Sequence, residues 1–405
     1  MSQNSILDQV NDLSVSRVGF MSRKQAIELV RQHGSPLFVY SRNHLLERAQ
    51  QLLDISLPFG HVVRYAMKAN PHPEIIKLFA ESGLCFDASS SYEASELLGK
   101  GIDGSRISLS SQQPAHNLPE LIVAGVQYVA TSMHQLELFA AAAGPGANVA
   151  LRVNPGMGAG HNNRTSTGGI NSSFGLWHEY LESALRLAHD KQLVINRVHI
   201  HIGSGADPSI WGNAMDKALH VVERMPDVAT LDIGGGYKIA RTVEEREADM
   251  LQISSIFSDK LNAFATATGR KLCLELEPGT WLVGHAGMLL AEIVDIVDTG
   301  EGGYTFLRVN TGMNDFLRPA MYGAQHGIQV VNDNTQQEIY VVVGHNCETS
   351  DILTPMPHDP EGILPRRLNK ANIGDVLAIS DTGAYSAAMS TRGYNAFPQA
   401  TEIII

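Results

Sequence analysis

Cysteine is scarce in this chain: three in 405 residues, at Cys85, Cys273 and Cys347. Few, odd in number and far apart, they exclude a disulfide framework and fit a reducing compartment. Positive charge is also in short supply. Thirty Lys and Arg face 42 Asp and Glu, a formal net charge of -12, which argues against a nucleic-acid partner or an anionic membrane surface. No apolar stretch is long enough to span a bilayer. Met1-Ser2-Gln3-Asn4 lacks the basic and apolar regions of a signal peptide, so a cytoplasmic protein is expected. What is present is ordinary for a globular chain: 44% hydrophobic and 18% charged residues, and a length that allows two domains with large cores. Glycine is generous at 37, and many glycines follow apolar runs.

From residue 60 to 285 one pattern recurs. A short apolar run ends in small or polar residues, and a segment with helical spacing follows. The runs are 62–67, 84–88, 107–110, 128–131, 149–153, 198–202, 230–233 and 272–276. Intervening helices are predicted at 73–81, 92–98, 118–124 and 135–142. Eight such units suggest a parallel (β/α)8 barrel, with an open doubly wound sheet as the rival. From 286 the pattern changes to strands separated by turn clusters: 294–298, 304–310, 329–331, 338–343, 376–379 and 402–405. An all-β second domain over 286–405 is therefore expected beside a barrel over 36–285. Residues 1–35, which precede the barrel and lead into the extended run 35–40, are a candidate to join the β domain.

A barrel puts its reactive groups at the C-terminal ends of its strands. Those ends hold Lys68, Asp87, Ser110-Ser111, Thr131, Arg152, His201, Ser204, Gly234-Gly235-Gly236 and Glu277. A lysine closing a buried strand has its ammonium form disfavoured, which makes its amine available to a carbonyl. The triple glycine and His201-Ile202-Gly203-Ser204-Gly205 offer close backbone approach to a phosphate, although a tight turn explains the glycines equally well alone. Glu275 and Glu277 share one strand face, suited to holding a proton on a pyridine nitrogen or to a structural ion pair. His199 and His201 also share a face. They open a metal reading, with Asp232 or Glu275 as further ligands, and a blander one in which His199 is a core histidine satisfied by backbone. In the second domain, Cys347 lies beside Glu348. Acidic neighbours should keep its thiol protonated, fit for proton donation, while a small buried thiol is the plain alternative. Arg318 and Tyr322, four residues apart, form a candidate carboxylate clamp, and Tyr385 adds a phenol after a strand.

Taken in order, these segments resemble the fold type III pyridoxal-phosphate decarboxylases, the group of diaminopimelate and ornithine decarboxylases. The matching pieces are Tyr65-Ala66-Met67-Lys68-Ala69-Asn70, Phe86-Asp87-Ala88-Ser89, His201-Ile202-Gly203-Ser204, Gly234-Gly235-Gly236, Glu277-Pro278-Gly279, Cys347-Glu348 and Gly383-Ala384-Tyr385. The segment from Asn310 through Arg318-Pro319-Ala320-Met321-Tyr322 to Ala324 looks like diaminopimelate decarboxylase. The resemblance implies a barrel with a C-terminal β domain and pyridoxal 5'-phosphate as cofactor. It makes Lys68 the Schiff-base lysine, His201 the group stacked on the ring, and Glu277 the partner of its nitrogen. Ser204, Gly235, Gly236 and Tyr385 would hold the phosphate, and Asp87 and Arg152 would support Lys68 and the ring. Arg318 and Tyr322 would bind the substrate's far carboxylate and Glu348 its amine. Cys347 and Glu348 would act across a homodimer interface, giving shared active sites, with Cys347 the candidate proton donor.

The implied reaction turns meso-2,6-diaminopimelate into L-lysine and CO2. One departure stands out: Thr280 follows Glu277-Pro278-Gly279 where many diaminopimelate decarboxylases have arginine. Arg164 is a candidate to compensate, and Ser173 stands where a lysine is common. These changes keep open a related decarboxylase for another diamino acid, such as lysine or ornithine, or for a carboxylated polyamine precursor. A racemase would prefer arginine where Glu277 stands. A catalytically dead regulatory homologue is disfavoured by Lys68 and the phosphate set. A metal-dependent barrel hydrolase using His199 and His201 is the last rival; no metal is expected.

Overall fold

The protein is seen here as a computed structural model that describes residues 19–158 and 168–405. The chain divides into two compact units. One holds Leu46–Lys238 and Glu247–Leu282. The other holds the described residues up to Leu45, together with Ile239–Arg246 and Val283–Ile405.

The chain enters with β1 (Leu37–Tyr40) and continues into the first unit through β2 (His61–Ala66), β3 (Cys85–Ala88), β4 (Ile107–Ser110), β5 (Gln127–Ala130), β6 (Asn148–Asn154), β7 (Leu176–Trp177), β8 (Val194–His199), β9 (Thr230–Asp232) and β10 (Cys273–Leu276). The parallel order β5-β4-β3-β2-β10-β9-β8-β6 closes through pairing of β5 with β6, while the two-residue β7 sits outside the ring against β6. This is the (β/α)8 barrel, not the open sheet. Helices fall where the spacing predicts them, at Pro73–Glu81, Ser91–Gly99, Leu118–Val123 and Met133–Ala143. Their starts follow local chemistry: the hydroxyls of Ser90 and Ser132 accept the Glu93 and Gln135 N–H groups.

One barrel strand is shifted from its expected place. The run 198–202 is only half strand; β8 ends at His199, and its earlier part contains Asn196 and Arg197. Polar residues inside the strand hid it. Arg197 is buried because it bridges Asp232 and Glu275 while its Nη1 donates to Ser108 Oγ at 2.8 Å. Arg64 on β2 grips the same Glu275 with two bonds, Nε–Oε2 3.0 Å and Nη2–Oε1 2.7 Å, and donates to Gln127 at 2.8 Å. Burial alone would raise the Glu275 carboxyl, but Arg197 and Arg64 hold it below the usual range.

In the second unit, β11 (Gly287–Asp298), β12 (Thr305–Val309), β13 (Ile328–Val331), β14 (Gln337–Val343), β17 (Arg366–Asn369), β18 (Val376–Ile379) and β19 (Thr401–Ile404) build one sheet with β1; β15 (Pro355–Met356) and β16 (Asp359–Ile363) make a separate hairpin. Pairing is mostly antiparallel, with β12–β14 and β1–β19 parallel. Residues 37–40, expected inside the barrel segment that starts at 36, instead lie between β11 and β19. Met21, Ala26, Leu37, Val39, Met288, Leu290 and Val376 pack into one core here, which ties the described residues from Met21 onward to this sheet. The all-β expectation also missed a short helix, Arg318–Tyr322. Among the described residues, no helix is long and apolar enough to cross a membrane.

Arg197→Met would leave Asp232 and Glu275 buried without their shared cation. Removing one partner of such a pair destabilises by about 3–5 kcal/mol. The expected result is a clear drop in the urea midpoint of the variant; a change under about 1 kcal/mol would show that the network is not structural.

Candidate active site

Lys68 lies two residues past β2, in a single 3-10 turn over Met67–Ala69. The turn is buttressed by the Tyr65 hydroxyl donating to Asn70 O at 2.8 Å and by Ala66 N–H donating to Pro278 O at 3.1 Å. The expected burial is not seen. The Lys68 side chain is 45% exposed, so desolvation is not what prepares this amine. Its Nζ stands 3.8 Å from Asp87 Oδ2, and that carboxylate is buried on β3.

Glu277 follows β10 and is buried, held by its own N–H donating to Gly234 O at 2.9 Å. Oε2 lies 3.2 Å from His199 Nε2, and Oε1 has no hydrogen-bond partner. His199 is thus faced by a carboxylate and, at 3.4 Å, by Ser110 Oγ, rather than satisfied by backbone. Burial pulls its pKa down to about 4, so the ring is neutral. Asp232, buried on β9, accepts Gly234 N–H at 2.8 Å and pairs with Arg197. Arg152 lies on β6, two residues before its end, with its guanidinium 5.0 Å from the Phe174 ring and Nη1 at 3.4 Å from Ser110 Oγ. Burial lowers its pKa, and the charges of Glu277, Asp87 and Asp232 oppose that shift.

The three glycines meet a demand from the fold. A Cβ on Gly235 would overlap the Glu277 carbonyl, and one on Gly236 would overlap that of Gly203. Gly235 N–H donates to His201 Nδ1 at 3.1 Å. That bond makes Nδ1 an acceptor and leaves the proton on Nε2, in keeping with a pKa that burial lowers well below the usual value. Gly235 therefore orients the imidazole. Ser204 and Gly236 lie in the same pair of loops, joined by Gly205 N–H donating to Gly236 O at 3.0 Å.

The metal reading survives only in altered form. His199, Asp232 and Glu277 offer ligand atoms within 4.8 Å of one another, whereas His201 is not in that group. Asp232 is already engaged by Arg197, and the nearby Arg152 and Arg197 charges oppose a cation. Pyridoxal phosphate fits these residues better. A buried Glu277 oxygen lacks a donor, an accessible amine stands at Lys68, and a neutral, half-buried imidazole is fixed at His201. Arg164 lies outside the described residues; Ser173 Oγ accepts a bond from Gln112 at 3.2 Å.

The β unit carries the remaining candidates. Arg318 opens its short helix, and its guanidinium lies 5.8 Å from the Tyr322 ring. Tyr385 adopts left-handed backbone, φ 55°. Cys347 is exposed rather than a buried thiol. Its loop is pinned by the buried Asp351 carboxylate, which accepts the N–H groups of Asn346 at 2.9 Å and Met313 at 2.7 Å. Glu348 is exposed, and the Ser350 N–H bond holds its carboxyl below the ordinary range. Arg64, Arg197 and Arg241 escaped the sequence reading, whereas Asp232 and Glu275 entered it as candidate metal ligands and Glu275 also as a structural ion-pair partner. For Arg64 and Arg197 the available signal was charge at interior positions of otherwise apolar strands.

Burial, with Glu277 adding its charge, pushes Asp87 up to about 7. A carboxyl raised in the fold contributes stability that is present below its unfolded value near 3.8 and lost as pH rises through about 7. His199 works in the opposite sense, losing stability as pH falls from 6.5 through about 4. Asp87→Asn in cofactor-free protein should therefore shrink the decline in stability between about pH 4 and pH 7. Denaturant titrations across that range test this; an unchanged slope removes Asp87 from the titrating set.

The profile of a family described as "Pyridoxal-dependent decarboxylase, pyridoxal binding domain" matches residues 43–284. Diaminopimelate decarboxylase of Streptomyces coelicolor is 31% identical over 390 residues, covering 92% of this chain and 85% of its own. That of Methanothermobacter thermautotrophicus is 32% identical over 412 residues, covering 98% and 92%. The crystal structure of Helicobacter pylori diaminopimelate decarboxylase complexed with L-lysine has a TM-score of 0.84 at 25% identity, covering 94% of this chain and 93% of that one. Matched by the profile over more than half its length and by these enzymes over nearly all of it, the chain belongs to the pyridoxal-dependent decarboxylase family and groups with its diaminopimelate decarboxylases.

Proposed function

We propose that the protein removes CO2 from meso-2,6-diaminopimelate at its D-configured centre, giving L-lysine, and that it works as a cytoplasmic homodimer with shared active sites. The observation that carries the cofactor chemistry is the buried, half-partnered carboxylate of Glu277 at the strand end beside that of Lys68. The observation that favours a dicarboxylate over lysine or ornithine is Arg318, whose buried Nε has no acceptor.

When bound, pyridoxal phosphate supplies an electron sink for the pair released as CO2 leaves. Lys68 is the amine that would hold it, and Asp87 keeps that amine in place. Glu277 would pair with the ring nitrogen and keep it protonated, and His201, fixed through Nδ1, would lie against the ring. Ser204, Gly235, Gly236 and Tyr385 would hold the phosphate, and Arg152 would keep the carboxylate group balanced. Arg318 and Tyr322 take the distal carboxylate of the substrate and Glu348 its amine. Cys347 Sγ, given to the partner subunit, delivers the proton that replaces CO2.

CO2 release should be strong with meso-diaminopimelate and weak with L-lysine, D-lysine and both ornithines. Activity confined to substrates without a distal carboxylate would overturn the specificity. Lys68→Ala should lose the cofactor's visible absorbance band and all turnover; a surviving band would sink the role of that lysine. Cys347→Ala should cut turnover far more than cofactor retention, and mixing it with Lys68→Ala should restore activity through hybrid dimers. If subunits demonstrably exchange and no activity returns, the sites are not shared.

A further inference from the structure

Two arginines in the β unit carry charge that nothing in that unit neutralises directly. Arg241 is 6% exposed, and Arg318 opens the short helix at 318–322. The Nε atoms of both are fully buried and lack an acceptor. Among the described residues, neither guanidinium makes an ion pair. The acids that Arg241 feels, Glu245 and Asp381, make no ion pair with its guanidinium. Asp381 bonds His285 and Ser380, and Glu245 Oε2 accepts the main-chain N–H of Arg241 at 2.8 Å. His326, also buried, has Nδ1 on the Ser380 carbonyl at 2.9 Å and an unpartnered Nε2, so it supplies no negative charge. Burial pulls Arg318 down to about 9, and the positive charge of Arg241 adds to that pull. Two like charges held in low dielectric call for an anion, and a guanidinium fork is shaped for a carboxylate.

We propose that Arg241 is a specificity-determining residue that binds the distal carboxylate of the substrate together with Arg318, supplying the second guanidinium that Glu277-Pro278-Gly279-Thr280 lacks. The proposal rests on the reading of meso-diaminopimelate as substrate. It makes Thr280 a relocation of the charge rather than a loss of distal-carboxylate recognition.

The rival source of the anion is the cofactor's phosphate, so the test measures both. Arg241→Met and Arg241→Lys are prepared as holoenzymes. Three quantities are read: KM and kcat for meso-diaminopimelate, the inhibition constant of D-lysine, which lacks the distal carboxylate, and the dissociation constant of pyridoxal phosphate by absorbance. A charge-assisted hydrogen bond corresponds to roughly 10- to 100-fold in binding. Arg241→Met should raise KM for meso-diaminopimelate by about that factor, with D-lysine inhibition and cofactor affinity changing less than about twofold. Arg241→Lys should fall between, because a point charge replaces the fork. Unchanged KM in the variants overturns the proposal. So does a parallel weakening for D-lysine, or a loss of cofactor affinity that matches the loss of substrate affinity, which would assign Arg241 to the phosphate. If Arg241→Met does not fold, Arg241→Lys decides by the same readings. Failure of the parent enzyme to act on meso-diaminopimelate would instead overturn the underlying substrate assignment.

Discussion

The barrel depends on a charge balance kept inside it. Arg197 spans Asp232 and Glu275, and Arg64 closes on Glu275 from the other side. Buried ions are tolerable only when geometry and hydrogen bonds satisfy them together. Here they do at Glu275 and not at Glu277, two residues further along the same strand face. One carboxylate is saturated and holds the strands; the other keeps an oxygen in reserve. That difference separates the part of the barrel that makes the structure from the part that makes chemistry.

The two units carry different buried charge. The barrel sets buried carboxylates against the buried guanidinium groups of Arg64, Arg152 and Arg197, with an accessible lysine beside Asp87. The β unit concentrates buried guanidinium groups and an exposed thiol on a loop pinned by Asp351, which suits recognition and proton delivery.

Much of this was readable from residues alone, because parallel strands buried on both faces show as apolar runs with reactive residues at one end. The failures share a cause. β8 was displaced because Asn196 and Arg197 interrupt its apolar pattern, yet that arginine is there to serve carboxylates on neighbouring strands. β17, Arg366-Arg367-Leu368-Asn369, carries too much charge to look like a strand, and its register comes from β14. The exposure of Lys68 was invisible because the turn after β2, not the strand, carries it. Arg241 was passed over because burial of an arginine is a tertiary fact with no local signature.

The pairing of β1 with β19 has a consequence for how the chain assembles. Leu37 stands opposite Thr401, and the whole barrel sequence lies between them, about 360 residues of loop to close. On the ribosome, β1 emerges long before either of its neighbours, β11 or β19, exists. It must remain solvated or sheltered with a bare edge while the barrel forms. The β sheet is therefore the late-assembling part, and β1 the segment most exposed to mispairing during synthesis.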